Sequence, residues 1–253
     1  MIVRKSPEEL DRMRRAGRVV ADTISRLLEA VAPGRTTFDL DRLAAQTIEA
    51  VGARPSFKGY RGFPATICTS IDHEIVHGIP SRTRRLTEGQ LLSLDVGAVW
   101  EGFHADSAVT VVVGGIAPSP EAERLLKTTE AALDAAIERV RPGGRLSDIG
   151  HAIEEVAERE GLGLVREYGG HGIGRALHED PFVQNWGDPG RGPELKPGLV
   201  LALEPMLNLG GDATRLLPDG WTVVTADGSL SAHFEHTVAV TETGHEVLTA
   251  RDR

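Results

Sequence analysis

The chain has 253 residues, 40% of them hydrophobic, enough to enclose one large core or two fused small ones. Its formal net charge is -9 and its cations are scattered rather than massed, which disfavours nucleic acid as a partner. Cys68 is the single cysteine, which excludes an intramolecular disulfide and any cysteine-built zinc cluster, so a metal here must rest on His, Asp or Glu.

The N-terminal "MIVRKSPEELDRMRR" turns charged before it could form the apolar stretch of a signal peptide. Runs such as Leu199-Val200-Leu201-Ala202-Leu203 are too short to span a bilayer, so the expectation is a soluble, cytoplasmic protein with no membrane partner. The first predicted helix starts at Ser6-Pro7-Glu8, serine as N-cap and proline at the first helical position. It carries Leu10, Met13, Val20, Ile24, Leu27 and Val31 at helical spacing and stops before Pro33-Gly34. A second helix is expected from about Thr37 to Val51, closed by Gly52. The β-branched runs "PATICTS", "LLSLDVGAV" and "SAVTVVVG" follow as strands, the last two joined by a hairpin at Glu101-Gly102. Ser119-Pro120-Glu121 opens a third helix and Ser147 to Glu160, closed by Gly161, makes a fourth; "LVLALEP", "WTVV" and "EHTVAV" are the later strands.

This order repeats itself. "VAPGRTTFDLDRL" from Val31 matches "VRPGGRLSDIGHAI" from Val140, and "LTEGQLLSLDVG" from Leu86 matches "LKPGLVLALEPM" from Leu195, both at a separation of 109 residues. The expectation is an α+β fold: one domain over residues 1-253, built from two similar halves at about 6-113 and 119-241.

The alignment sets Asp95 against Glu204, each interrupting an apolar strand. Asp106 and Glu235 each precede a β-branched run, with Val109/Val238 and Val111/Val240 following at equal spacing. Alone, each carboxylate reads best as a solvated strand end; four at matched positions read better as a group needing a compensating cation. In "EYGGHGIGRALHED", glycines on both sides of His171 would let its backbone approach a crowded centre, with a structural histidine in a turn as the competing reading. The segment lacks both the G-x-x-x-x-G-K-[ST] and the G-x-G-x-x-G patterns of phosphate loops. "SIDHEIVHGIP" contains a literal H-E-x-x-H at His73 to His77, but it is β-branched and runs at once into Gly78 and Pro80, leaving a zinc-binding helix no room. The motif is read as coincidence, with His73 and Glu74 exposed.

Five motifs in order, "VHGIP", "SLDVGAVWEGFHADSA", "GGHGIGRALHEDP", "ALEPM" and "GWTVVTADGSLSAHFEHTVAV", resemble the type I methionine aminopeptidases of the short bacterial kind, over about Ser6 to Leu248. The resemblance implies the pita-bread fold, two pseudo-symmetric halves with helices packed on a curved, mainly antiparallel sheet around a central dimetal site. It assigns metal ligation by two divalent ions (Mn, Fe, Co or Zn) to Asp95, Asp106, His171, Glu204 and Glu235. Glu204 would be the acid/base for a metal-bridging water, with His77 and His178 contacting the substrate. A methionine pocket of Tyr60, Phe63, Cys68, Leu177 and Trp221 is implied too, although "KGYRGFPATICT" reads equally well as core. The implied reaction removes the N-terminal methionine from nascent polypeptides, preferring a small second residue. The enzyme would act as a monomer, with the ribosome exit region as a candidate partner. The chain departs from the family pattern at Leu177, where an aromatic is common, at Ala105 in "HADSA", and at Asp72. Rival readings are a same-fold aminopeptidase for another N-terminal residue or for Xaa-Pro, and a non-catalytic peptide-binding domain.

Overall fold

The computed structural model describes residues 2–251; Met1, Asp252 and Arg253, included in the single-domain expectation, lie outside the described residues. Four α-helices and a series of short strands alternate in two rounds. Helix α1 (Pro7–Ala30) starts where the serine and proline predict, closed by a reciprocal cap in which Glu9 N–H donates to Ser6 Oγ and Ser6 N–H to Glu9 Oε2. Its inner face buries Met13, Val20, Ile24 and Leu27. Gly17 lies on that face because a Cβ there would come within 2.1 Å of the Leu248 carbonyl oxygen. Helix α2 (Thr37–Ala50) repeats the cap with Thr36 and Asp39. Helix α3 (Pro120–Ile137) is capped by Ser119. Helix α4 (Leu146–Glu160) ends on Gly161 at φ 63°. The starts fall within a residue of those expected, as do the ends of α1, α2 and α4, whereas α3 stops at Ile137, three residues short of the Val140 that precedes its Pro-Gly stop. No helix among the described residues is long and apolar enough to cross a membrane.

Each round ends in a three-stranded antiparallel unit. In the first, the strand Leu91–Trp100 lies between Ile67–Ile71 and Phe103–Val112; in the second, Val200–Leu203 lies between Gly170–Gly172 and His236–Val240. Glu101 and Gly102, at φ 47° and 82°, make the two-residue turn of the predicted hairpin. The halves differ in register. Leu94 pairs with Val109, whereas Val238, the match of Val109, pairs with Leu201 rather than Leu203. Asp95 accordingly stands opposite Ala108, and Asp106 opposite Gly97, so the two aspartates meet diagonally on one face rather than directly.

The halves are stitched together by buried hydroxyls. Thr237 Oγ1 accepts from the Asp106 amide at 2.9 Å and donates to its carbonyl at 2.7 Å. Ser107 Oγ donates to the Glu235 carbonyl at 2.6 Å, and Glu235 N–H donates to the Ala108 carbonyl at 3.0 Å. Thr110 Oγ1 accepts from His233 N–H and donates to the His233 carbonyl.

The segment holding His73 and Glu74 bears out the rejection of a helix and corrects the expected exposure. Glu74–Val76 is a strand and not a helix, and Asp72 and His77 take left-handed φ values of 57° and 63°. Glu74 is only 5% exposed, and His73 is half-buried. Arg84 Nη1 donates to Glu74 Oε1 at 2.6 Å, and Ile71 N–H donates to Oε2 at 2.8 Å. Ten residues separate the two charges, so local pattern could not disclose the pairing that makes burial tolerable.

Replacing Thr237 by Val keeps the volume but leaves the Asp106 amide and carbonyl without their hydroxyl partner. Urea unfolding of the metal-free protein should show a loss of about 1 to 3 kcal/mol, and Thr237→Ser should recover most of it.

Candidate metal centre

The two three-stranded units bring their carboxylates to one cavity of about 160 Å³. Its lining contains all twelve residues singled out from the sequence: Tyr60, Phe63, Cys68, His77, Asp95, Asp106, His171, Leu177, His178, Glu204, Trp221 and Glu235. Phe57 and Arg61 complete it. One ligand atom each from Asp106, His171 and Glu235, all three buried, lies within 4.8 Å of the others. Asp95 and Glu204 flank this inner group, half-buried; His171 Nε2 is 3.7 Å from Glu204 Oε1, and the Asp95 carboxyl interacts with Asp106 and Cys68.

The chemistry of these donors calls for cations. Burial raises the Asp95 carboxyl to about 7. Burial, then the charges of Glu235 and Asp95, push Asp106 far above the ordinary carboxylate range. Glu204 is raised by burial and by Asp106 and Asp95, and Glu235 by burial and by Glu204 and Asp95. Asp95 Oδ1, Asp106 Oδ1 and Glu235 Oε1 are buried without a hydrogen-bond partner. Carboxylates so placed must either hold protons or face positive charge, and hard oxygen donors with one imidazole suit first-row divalent ions.

His171 is prepared for the same role. Its Nδ1 is 2.9 Å from the Gly172 carbonyl, which can only accept, so Nδ1 carries the hydrogen and Nε2 presents its lone pair toward Glu204. Burial, and then His178, lower its pKa to about 3, keeping the ring neutral. The flanking glycines allow this placement: a Cβ at Gly170 would lie 2.2 Å from the Ala202 carbonyl oxygen, and one at Gly172 2.1 Å from that of Asp180.

The remaining histidines ring the opening. His77 is lowered to about 4 by burial and by His178. His178, solvent-accessible at the mouth, is lowered by partial desolvation and by the Arg61 charge. Its ring stacks on Tyr60 at 5.2 Å between centroids and lies 4.1 Å from that of His171. The apolar wall includes the edge-to-face pair Phe63 and Trp221 together with Leu177 and Cys68, all part of one hydrophobic cluster. Cys68 pairs with Asp95 across the sheet, so wall and carboxylates share adjacent strands.

Sequence reasoning passed over His233, Asn185, Phe57 and Arg61. His233 is fully enclosed with Nε2 3.8 Å from Glu204 Oε2, and Asn185 Nδ2 donates to the Glu204 carbonyl at 3.0 Å. His233 stands two residues before Glu235 on an extended segment, a same-face spacing that could have flagged it. Nothing local marks Asn185.

Comparison with known proteins agrees with this geometry. The chain matches the family model of metallopeptidase family M24 over residues 11–242. It is 50% identical over 249 residues to the methionine aminopeptidase of Clostridium acetobutylicum, covering 98% of this chain and 99% of that protein. Methionine aminopeptidase 1 of Bacillus subtilis matches at the same identity and coverage. The solved methionine aminopeptidase structure from Thermotoga maritima superposes with a TM-score of 0.97 at 41% identity, over 100% of both chains. The architecture is thus the pita-bread fold, and by sequence match and fold alike the chain belongs to metallopeptidase family M24.

Proposed function

We propose that this protein removes the N-terminal methionine from polypeptides by metal-dependent hydrolysis of the first peptide bond. The observation that carries the proposal is the sharing of one cavity by five metal-suited donors and an apolar wall, in a chain half identical to methionine aminopeptidases. Asp106, His171 and Glu235, with Asp95 and Glu204, would hold divalent cations, their oxygens and one imidazole suiting such ions. When bound, the ions supply Lewis acidity toward the scissile carbonyl and the attacking water.

The chain's own groups supply the rest. Glu204 accepts a proton from the attacking water and passes it to the leaving amine. His178 is neutral and sits at the mouth, where an N–H can meet the carbonyl oxygen as negative charge develops. His77, edge-on to Trp221 at 6.3 Å, is placed to contact the peptide beyond the scissile bond. The cluster of Phe63, Cys68, Leu177 and Trp221 receives an unbranched, polarizable methionine side chain. A free α-amine directed at the carboxylates restricts action to chain ends.

The direct test is amino-acid release by metal-stripped protein, with Mn, Co, Fe or Zn restored singly, on peptides beginning Met-Ala, Met-Lys, Leu-Ala and Ala-Pro. Cleavage confined to Met-Ala and dependent on metal is expected. Asp106→Ala should lower that rate at least about a hundredfold while preserving the circular dichroism spectrum. Preference for Ala-Pro would reassign the enzyme to proline-directed peptidases.

Metal binding should also carry a pH signature. The Asp95 carboxyl is raised from 3.8 to about 7, so its contribution to stability is present below the unfolded value and lost as pH rises through 7. Asp106, Glu204 and Glu235, raised as well, act in the same sense. Cations must displace these protons, so the gain in melting temperature on adding Mn should be larger at about pH 8 than at about pH 5.5. Equal gains at both would remove these carboxylates as the ligands.

Leu177 is 2% exposed and forms part of the apolar wall. Leu177→Phe should alter the ratio of kcat/KM for Met-Ala over Leu-Ala peptides by about tenfold. An unchanged ratio would take Leu177 out of the pocket.

A further inference from the structure

His178 and Leu177 stand on the loop 173–178, which joins the strand Gly170–Gly172 to Glu179–Val183. A loop at a cavity mouth has no strand register to hold it, so its clamps decide where those side chains stand. Ile173 N–H donates to the Val200 carbonyl at 3.1 Å where the loop leaves its strand, and three further contacts grip it beyond that point. His104 N–H donates to the Gly174 carbonyl at 2.7 Å. Arg175 reaches Glu9 on α1 at 2.9 Å and lies over the Phe103 ring. The third contact is buried. Lys5, with its side chain 2% exposed, donates from Nζ to Glu179 Oε2 at 2.7 Å.

Glu179 spends its other oxygen on the loop itself, Oε1 accepting from the Ala176 amide at 3.1 Å. Lys5 is fixed at its own end, its amide donating to the Gly198 carbonyl at 2.7 Å at the foot of the strand Val200–Leu203. Gly174 leaves the path open, since a Cβ there would lie 2.3 Å from Lys5 Cε and 2.8 Å from Glu179 Oε1. The ammonium thus ties the sheet that carries Glu204 to the residue adjoining His178.

We propose that Lys5 is a positioning residue for the reaction: through Glu179 it holds the loop 173–178 so that His178 and Leu177 stand in the cavity. The proposal rests on the reading above in which His178 touches substrate. Because Lys5 is buried and the Glu179 side chain is only 14% exposed, removing the lysine charge leaves Glu179 short of its counterion, and the loop must move to hydrate it fully. Lys5 touches neither substrate nor cation, so its effect on kcat should pass through His178 and fall away when that ring is absent, while a displaced Leu177 should show in KM.

The experiment is a double-mutant cycle on the manganese-loaded enzyme with a Met-Ala peptide: wild type, Lys5→Met, His178→Ala and the combination. Calorimetric Mn titration and histidine ¹⁵N NMR of the metal-free proteins accompany it. Lys5→Met should lower kcat roughly ten- to a hundredfold, the scale on which a displacement of ~1 Å acts, with Mn affinity unchanged. In the His178→Ala background it should change kcat less than about twofold. The His178 ring resonances should shift in Lys5→Met while those of His151 on α4 stay in place. Additive losses, or wild-type kcat with unmoved His178 resonances, would overturn the proposal. If Lys5→Met does not fold, Glu179→Gln carries the same cycle and is read the same way. An inactive wild type whose His178 resonances still respond to Lys5→Met would fell the functional reading and leave the clamp standing.

Discussion

Four carboxylates from two strand units crowd one small cavity, and most of the neighbouring design answers to that concentration of charge. Asp106 and Glu235 are 5% and 2% exposed, with oxygens that no protein donor reaches. Taking an ion this far from water costs several kcal/mol even after relaxation, so the chain alone cannot satisfy all four in ionised form. Protons or cations must enter. The backbone must meanwhile resist the mutual repulsion, which explains why the ligand strands are locked through main-chain atoms. Thr237 binds both polar atoms of the Asp106 backbone, and Ser107 and Ala108 bind those of Glu235. With each carboxylate hung from a backbone cross-linked to the other half, repulsion cannot relax by separating the halves.

The same crowding sorts the histidines. His77, His171 and His233 are all depressed to about 3 or 4, chiefly by burial, so they face the carboxylates as neutral rings. A charged imidazole would compete with a cation for the acidic oxygens, whereas a neutral one adds a lone pair or a donor according to its tautomer. At His171 the Gly172 carbonyl settles that choice. The apolar wall is not separate from this arrangement. Cys68 opposite Asp95 places pocket and carboxylates one strand apart, so a side chain lodged against the wall brings its backbone to the acidic end.

What could be read from the sequence follows from what is local or repeated. Asp95 and Glu204 betrayed themselves by interrupting apolar strands at matched positions, and the glycines around His171 by marking a close approach that the Ala202 and Asp180 carbonyls now explain. Helix starts were legible because a serine cap and a proline act within one turn. Glu74 was misread because its partner Arg84 is fixed by tertiary folding, and Lys5 with Glu179 joins residues 174 positions apart. The two-residue difference in register between the halves was hidden for another reason: equal spacing along two chains says nothing about which neighbour each residue faces.

That difference in register bears on how a near-symmetric scaffold makes an asymmetric site. Matched strands supply carboxylates to both sides, and symmetry alone would give a centre with equivalent approaches. The surroundings are not matched. On one side stands the segment 59–62, where Gly59, Arg61 and Gly62 all take left-handed backbone and bring Tyr60 and Arg61 to the mouth. Against it stands the loop bearing Leu177 and His178, the His178 ring stacked on Tyr60, with His171 entering from the strand before that loop. Both halves therefore contribute to the apolar wall, Phe63 and Cys68 from one and Leu177 and Trp221 from the other, but His171 and the ring of His178 come from the second alone. The asymmetry of the cavity thus arises from the segments that flank matched strands, not from the strands themselves.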